Sequence, residues 1–235
     1  MVIRGCTERS IEAYKQEYKQ FFNMVRKPVT EITAGDIRGY LAYSKLVKKN
    51  KDITINTKTR LLRGLFLWLT EEEYIDKNPM LRIKDSKVEH RVKETFSDEQ
   101  VTMIKDAAQK HGVRSIAIVD FLHRTGVRIS EMVALDRDDV DFQGRQCIVY
   151  GKGRKERPVY FSGDAAVHLK EYLDSRKDDN PALFVGTRKP HKRLTDCAVR
   201  NILLAVRDRV PRLKGGAVNP HKWRRQFVTE LLEKD

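Results

Sequence analysis

Four basic side chains in this sequence could together stabilise a phosphate group under attack: Arg128 in TGVRISEM, Lys152 in GKGRKE, and His221 and Arg224 in NPHKWRRQFV. An arginine can bind two oxygens of one phosphate, and a histidine with a pKa of about 6.5 can exchange a proton at neutral pH. Phosphoryl transfer needs such a set when no metal is present, because cations must then stabilise the equatorial oxygens and protonate the leaving oxygen.

The sequence offers neither a metal site nor an evident nucleophile to accompany these cations. No cluster of carboxylates suggests a bound metal, so the positive side chains themselves would have to stabilise the developing charge. The glycines around Lys152 do not form a nucleotide-binding P-loop, since the pattern G-x-x-x-x-G-K-[ST] is absent. We therefore expect neither a metal nor another cofactor.

Arg128 and Lys152 each have a simpler structural explanation. Arg128 precedes a helical pattern, where the helix dipole opposes a cation, and a salt bridge to Glu131 explains it about as well as function does. Lys152 lies between two glycines at a predicted hairpin tip, from which an ammonium group could reach a phosphate. Lysines also protect exposed sheet edges, and for this motif alone that explanation is the stronger one.

His221 and Arg224 fall in the first turn of a predicted helix. Asn219 is a favourable N-cap and Pro220 a favourable first residue, and apolar positions continue to Leu232. Residues three apart share a helix face, and the free N–H groups of a helix N-terminus favour an anion. The alternative, favoured for this pair alone, is a basic helix end that contacts DNA backbone without chemistry.

The first third of the chain has the pattern of helices. Apolar residues recur at three- and four-residue steps from Ile11 to Phe22, which predicts an amphipathic helix. Thr33 is placed as an N-cap, with Asp36 in the first turn of a second helix.

A long apolar helix and a polar linker complete this first domain. The helix begins near Thr54, carries the run LLRGLFLWLT and closes at Asn78, because the residue before Pro79 is pushed out of the helical region. The next stretch is charged and lacks periodicity, which is typical of a linker. The sequence thus predicts a helical domain over residues 1–84, a linker over 85–94 and a second domain over 95–235.

The second domain combines helices with a small hairpin. Ser97 and Gln100 have the spacing of a capping box, and the apolar run SIAIVDFLHRTG predicts a helix that ends at Gly126. β-rich runs at Cys147–Tyr150 and Pro158–Phe161 flank a Gly-rich basic turn, which predicts a hairpin. Helical patterns return around Ala166–Leu173 and Asp196–Val210. The expected fold is mainly α, with a mixed α+β second domain around a small antiparallel sheet.

The charge balance favours a polyanionic partner, with nucleic acid ahead of a membrane surface. The 235 residues carry 47 Lys and Arg against 33 Asp and Glu, a formal net charge of +14. Of these, 17 basic and 10 acidic residues lie in the first 84, so that segment and the remainder each carry +7, which suits two domains that both face a long anion. Three widely spaced cysteines, no signal peptide and no long apolar run predict a soluble, cytoplasmic protein without a membrane partner.

Three of these motifs, in this order, resemble those of the tyrosine recombinases, the family of the Xer-type enzymes and of phage and transposon integrases. The chain has an arginine in TGVRISEMVAL, a hairpin lysine in GKGRKERPVYF 24 positions later, and His-x-x-Arg in PHKWRRQFVTELL. The resemblance covers nearly the whole chain: the helical first third resembles the SAM-like core-binding domain, and the part from Thr95 onward resembles the catalytic domain.

The resemblance implies a role for each residue in a transesterification of DNA that needs neither metal nor ATP. Arg128 and Arg224 would bind the non-bridging oxygens of the scissile phosphate, and His221 would act as acid/base and hydrogen-bond donor. Lys152 would protonate the leaving 5′ oxygen, and Glu131 would orient the site. A tyrosine would attack to leave a 3′-phosphotyrosine, which a 5′ hydroxyl resolves. The implied assembly is a homotetramer clamped around two sites on double-stranded DNA at a bacterial nucleoid.

The chain departs from the family pattern at the nucleophile. In the family the tyrosine follows the His-x-x-Arg motif at a greater distance than the 14 residues that follow His221 here, and all eight tyrosines lie at or before Tyr172. We interpret the sequence as a recombinase truncated before its tyrosine, with a degenerate remnant or a tyrosine supplied by a neighbour as alternatives. A non-catalytic DNA-binding protein is the competing function. A type IB topoisomerase uses similar chemistry, but the short first domain argues against it.

Overall fold

The chain folds into two compact units, Met1–Arg91 and Val92–Asp235. The computed structural model describes residues 6, 8–88, 94–151, 155–216 and 218–233. Over these ranges the fold is mainly helical, with a small antiparallel sheet in the second unit, which confirms the predicted fold class. None of the described helices is both long enough and apolar enough to cross a membrane.

The first unit contains helices α1 (Glu8–Val25), α2 (Ala34–Leu46) and α3 (Asp52–Glu71). Their apolar faces enclose one core cluster, in which Phe21 and Phe66 are fully buried, and burial of such surface is the main force that stabilises the unit. The N-cap predicted at Thr33 is confirmed, and Asp36 completes a capping box with it. Asp36 N–H donates to Thr33 Oγ1 (3.3 Å), and Thr33 N–H donates to Asp36 Oδ2 (2.9 Å).

The end of α3 differs from the prediction. The helix stops at Glu71, well before Asn78. Glu73 adopts a positive φ of 58°, and Tyr74 N–H donates to Leu69 O (2.9 Å), so the helix closes with a left-handed residue at a position where glycine is usual. A glutamate in this conformation gives no sequence signal, so the sequence pattern predicts a helix end that is too late.

A buried ion pair connects the three helices of the first unit. Lys58 of α3 donates to Glu17 of α1 (Nζ–Oε2 2.6 Å), and the Tyr40 hydroxyl of α2 donates to the other carboxylate oxygen (2.7 Å). The Lys58 and Glu17 side chains are 10% and 9% exposed. Because each charge compensates the other away from water, loss of one partner would leave an uncompensated buried charge.

The second unit is built around α5 (Val113–Thr125), most of which is buried. It packs against α4 (Asp98–His111), α7 (Gly163–Asp174), α8 (Asp196–Asp208) and α9 (Pro220–Leu232). A helix that is buried on nearly every side lies at the centre of a core, and α5 does so even though its buried residues include Asp120 and His123. The capping box predicted from Ser97 and Gln100 is confirmed at the start of α4.

A short helix and a three-stranded antiparallel sheet lie between α5 and α7 in the chain: α6 (Ile129–Ala134), β1 (Val140–Asp141), β2 (Gln146–Tyr150) and β3 (Glu156–Tyr160). The pairing of β2 with β3 confirms the predicted hairpin and places Val149 opposite Arg157. β1, which the sequence did not indicate, adds two residues at the edge of β2. Val149 and Val159 are buried on the inner face of the hairpin, and alternate residues are exposed.

Candidate active site

The turn between α5 and α6 places Arg128 at the end of the central helix. α5 ends at Thr125, and Gly126 follows with a positive φ of 56°, which confirms the predicted helix end. Val127 N–H donates to Thr125 Oγ1 (3.3 Å) and stabilises the turn. Arg128 then occupies the N-cap position of α6, with its side chain 48% exposed.

Glu131 is a buried carboxylate that holds two arginines. Its side chain is 3% exposed and accepts from the Arg128 N–H (2.8 Å), the Arg128 guanidinium (2.8 Å) and the Arg157 guanidinium (2.7 Å). Burial alone would raise the pKa of Glu131, but the Arg128 hydrogen bonds and the charges of both arginines lower it overall, so this carboxyl is ionised at neutral pH. The salt bridge considered as an alternative explanation of Arg128 is therefore confirmed, and it engages Nη1 of that guanidinium.

Arg224 reaches the same turn from α9. Its Nη1 donates to Gly126 O (2.5 Å), two residues before Arg128. Burial lowers the pKa of Arg224, and repulsion from Arg128 and Arg157 lowers it further, against the attraction of Glu131. We call Arg128, Arg157 and Arg224 around Glu131 the arginine cluster. Its three cations exceed its one carboxylate, so an anion bound there would relieve their repulsion.

The start of α9 presents His221 beside Arg224. Asn219 Oδ1 accepts from Lys222 N–H (2.9 Å) and Pro220 is the first helical residue, which confirms the predicted N-terminus. The His221 side chain is exposed, and its imidazole has no hydrogen-bond partner within the described ranges. It is therefore accessible to an incoming ligand.

Buried contacts fix α9 against the rest of the second unit. Trp223 is fully buried, with its ring centroid 4.6 Å from that of Phe96. Gln226 Oε1 accepts from Phe96 N–H (2.8 Å), and Glu230 Oε1 is 2.7 Å from His123 Nε2 on α5. Burial lowers the pKa of His123, as do two nearby cations, whereas Glu230 opposes the shift. These contacts determine where the first turn of α9 lies.

The structure brings together part of the predicted site. Arg128, Glu131 and Arg224 converge on one turn, and His221 lies three residues before Arg224 on α9. Lys152 lies outside the described residues. No cluster of three or more His, Cys, Asp or Glu side chains suited to a metal occurs in the part of the chain that the structure describes.

Arg157 is the cluster member that the sequence reasoning missed. It is on β3, two residues before the buried Val159, and therefore on the inner face of the hairpin. The sequence signal for such a residue is a charge at a strand position that faces the core, because a charge there needs a buried partner. The partner, Glu131, lies 26 positions earlier.

Comparison with known proteins identifies the class to which this fold and site belong. Residues 94–235 match the phage integrase family, and residues 1–76 match the phage integrase N-terminal SAM-like domain. The chain belongs to the phage integrase family, that of the tyrosine recombinases.

Relatives and solved structures agree with this assignment. The tyrosine recombinase XerC of Herpetosiphon aurantiacus is 31% identical in an alignment of 247 positions that covers 99% of this chain and 79% of the relative. A lambda integrase dimer bound to a COC′ core site gives a TM-score of 0.79 at 16% identity, over 98% of this chain and 85% of the other. The Tn1549 transposon integrase in complex with circular intermediate DNA gives a TM-score of 0.76 at 20% identity, over 98% of this chain and 83% of the other. The two structures share the fold of this chain.

Proposed function

We propose that this protein is a site-specific DNA recombinase that cleaves and rejoins duplex DNA through a 3′-phosphotyrosine. The observation that carries the proposal is the convergence of Arg128 and Arg224 at the turn after α5. Family membership and the net charge of +14 support DNA as the partner, as do the DNA-bound structures of the lambda and Tn1549 integrases. The working assembly proposed is a homotetramer on two paired DNA sites.

In the proposed reaction the scissile phosphate binds between the guanidinium groups of Arg128 and Arg224. A tyrosine oxygen attacks phosphorus as His221 accepts its proton, and the bond from phosphorus to the 5′ oxygen breaks as Lys152 protonates that oxygen. A 5′ hydroxyl of the partner strand then attacks the phosphotyrosine and releases the tyrosine. Since all eight tyrosines of this chain lie at or before Tyr172, the nucleophile is not assigned to any of them.

A methylphosphonate scan tests whether Arg128 and Arg224 hold one phosphate. A duplex that the chain binds is selected from a random pool, and each phosphate in turn is replaced by a neutral methylphosphonate. A charged hydrogen bond contributes about 1.5–3 kcal/mol, so we expect about 10- to 100-fold weaker binding when the phosphate at this site is neutralised. We call this loss of affinity the methylphosphonate penalty. Arg128→Ala and Arg224→Ala should each reduce it several-fold. If both variants keep the full penalty at every position, the phosphate is bound elsewhere.

A DNA-binding protein without cleavage activity is the second candidate, because the net charge of +14 and the arginine cluster would serve DNA binding without any nucleophile. Binding does not separate the two candidates, because both would lose affinity steeply with salt, with a slope of log K against log salt of about −0.9 per neutralised phosphate. A covalent adduct with a nicked half-site duplex separates them, because only the recombinase forms a phosphotyrosine.

A further inference from the structure

The arginine cluster has an asymmetry that the proposed reaction does not use. Glu131 Oε1 accepts from the Arg128 guanidinium, whereas Oε2 accepts from the Arg128 N–H and from Arg157 Nη2. Arg128 thus gives the carboxylate one guanidinium hydrogen bond, and its other guanidinium N–H groups have no acceptor in the described ranges. Those groups are available to an incoming phosphate.

Arg157 is what allows Arg128 to leave those groups free. A carboxylate prefers a bidentate arginine, with two parallel N–H···O bonds. Without Arg157, Arg128 would be the one arginine hydrogen-bonded to Glu131 among the described residues, and it would be drawn into the bidentate arrangement. Its guanidinium would then turn from the phosphate toward the carboxylate.

Arg157 also connects the hairpin to α6. It lies opposite Val149 in the β2–β3 pairing, and its guanidinium crosses to Glu131 on α6. A methyl group added at Gly151, directly after β2, would lie 4.0 Å from Glu131 Oε1, and Gly151 N–H donates to Lys155 O (2.8 Å). The base of the hairpin turn is therefore next to the same carboxylate.

We propose that Arg157 is a positioning residue of the phosphate site: by binding Glu131 Oε2 it keeps Arg128 turned toward the phosphate and holds the hairpin against α6. The inference rests on the proposed function, since it assigns Arg157 a role in holding the phosphate that Arg128 contacts. Arg157 itself acts through Glu131.

The test measures the affinity of the full chain for two forms of the selected duplex. One form carries a phosphate at the most sensitive position, and the other carries a methylphosphonate there. We expect Arg157→Ala to reduce the methylphosphonate penalty by about fivefold or more, and Arg157→Lys to restore much of it, because a lysine can still pair with Oε2. In an Arg128→Ala background, Arg157→Ala should cause no further reduction, since its effect is exerted through Arg128.

Arg137→Ala is the matched control. The Arg137 side chain is 31% exposed and pairs with Asp178 (3.3 Å) without touching the arginine cluster, so its loss removes a comparable ion pair of the same unit. This variant should keep the wild-type methylphosphonate penalty. If Arg157→Ala fails to fold, Arg157→Met, which keeps the apolar stem, is measured in its place.

Three results would overturn the inference: an unchanged penalty in Arg157→Ala, an equal reduction in Arg137→Ala, or a reduction of the same size in the Arg128→Ala background. Failure of the proposed function gives a different pattern. In that case Arg128→Ala and Arg224→Ala themselves leave the penalty unchanged.

Discussion

Substitution of Gly126 by alanine should disturb both the end of α5 and the placement of α9. Gly126 has a φ of +56°, a conformation that side chains other than glycine adopt at a cost. A methyl group there would lie 2.8 Å from Phe227 Cγ and closer still to Cδ1, far inside the 3.5–4.0 Å or so at which carbon atoms make favourable contact. Phe227 Cβ would be 3.1 Å away, so rotation of the ring alone would not remove the crowding.

The expected cost has two parts. A left-handed alanine costs about 1–2 kcal/mol relative to glycine. Overpacking against a helix that cannot easily move adds about 1–3 kcal/mol. The free energy of unfolding of the second unit should therefore fall by about 2–5 kcal/mol. Because Arg224 donates to Gly126 O, displacement of α9 should also reduce the methylphosphonate penalty described above.

Urea unfolding of Gly126→Ala, Phe227→Ala and the double variant separates the two parts. The two substitutions should be non-additive, and the double variant should be about 1–3 kcal/mol more stable than the sum of the single effects predicts. Gly215→Ala is the control, because Gly215 has a φ of +82° and a methyl group there would meet no heavy atom of the described residues within 4 Å, its two chain neighbours aside. Phe227 does not restrict the turn if Gly126→Ala lowers the free energy of unfolding no more than Gly215→Ala does. The same conclusion follows if the effects of Gly126→Ala and Phe227→Ala add up in the double variant.

Two further predictions concern buried charged or titratable side chains. Lys58→Met should destabilise the first unit by about 3–5 kcal/mol in urea unfolding, because Glu17 would be left buried without its cation. Adding Glu17→Gln should recover most of that loss. Additive effects of the two substitutions would contradict this prediction. The lowered pKa of His123 predicts a pH dependence: the unfolded chain binds more protons than the folded chain just below pH ~6.5, so the free energy of unfolding should fall as the pH is lowered through this range. His123→Gln should flatten that fall, and an unchanged slope would show that other groups cause it.

The sequence predicts those features that depend on neighbouring residues. The N-cap at Thr33, the capping box at Ser97, the N-cap at Asn219 and the left-handed Gly126 each rest on chemistry within about one helical turn, and all four are confirmed. The same holds for the β2–β3 hairpin, whose two strands are separated by a short turn. Since Arg128 and Arg224 stand at such local features, they could be selected as candidates from the sequence.

Contacts between distant positions could not be predicted in this way. Glu131 lies 26 positions before Arg157, and Gln226 lies 130 positions after Phe96, so no local pattern connects the partners. The early end of α3 has another cause, because the left-handed Glu73 replaces the glycine that a sequence rule would look for. The charged inner-face position of Arg157 was a usable signal, but its partner follows from the fold.

The most direct test of the proposed recombinase is covalent trapping on DNA. The protein expressed from its native locus is incubated with a nicked half-site of the selected duplex, whose cleavage product dissociates and prevents religation. The proposed function predicts a phosphotyrosine adduct, which peptide mapping assigns to one tyrosine, and predicts that Arg128→Ala and Arg224→Ala abolish the adduct while duplex binding largely persists. Tight binding of the duplex without any adduct, or an adduct yield unchanged in both arginine variants, would contradict it.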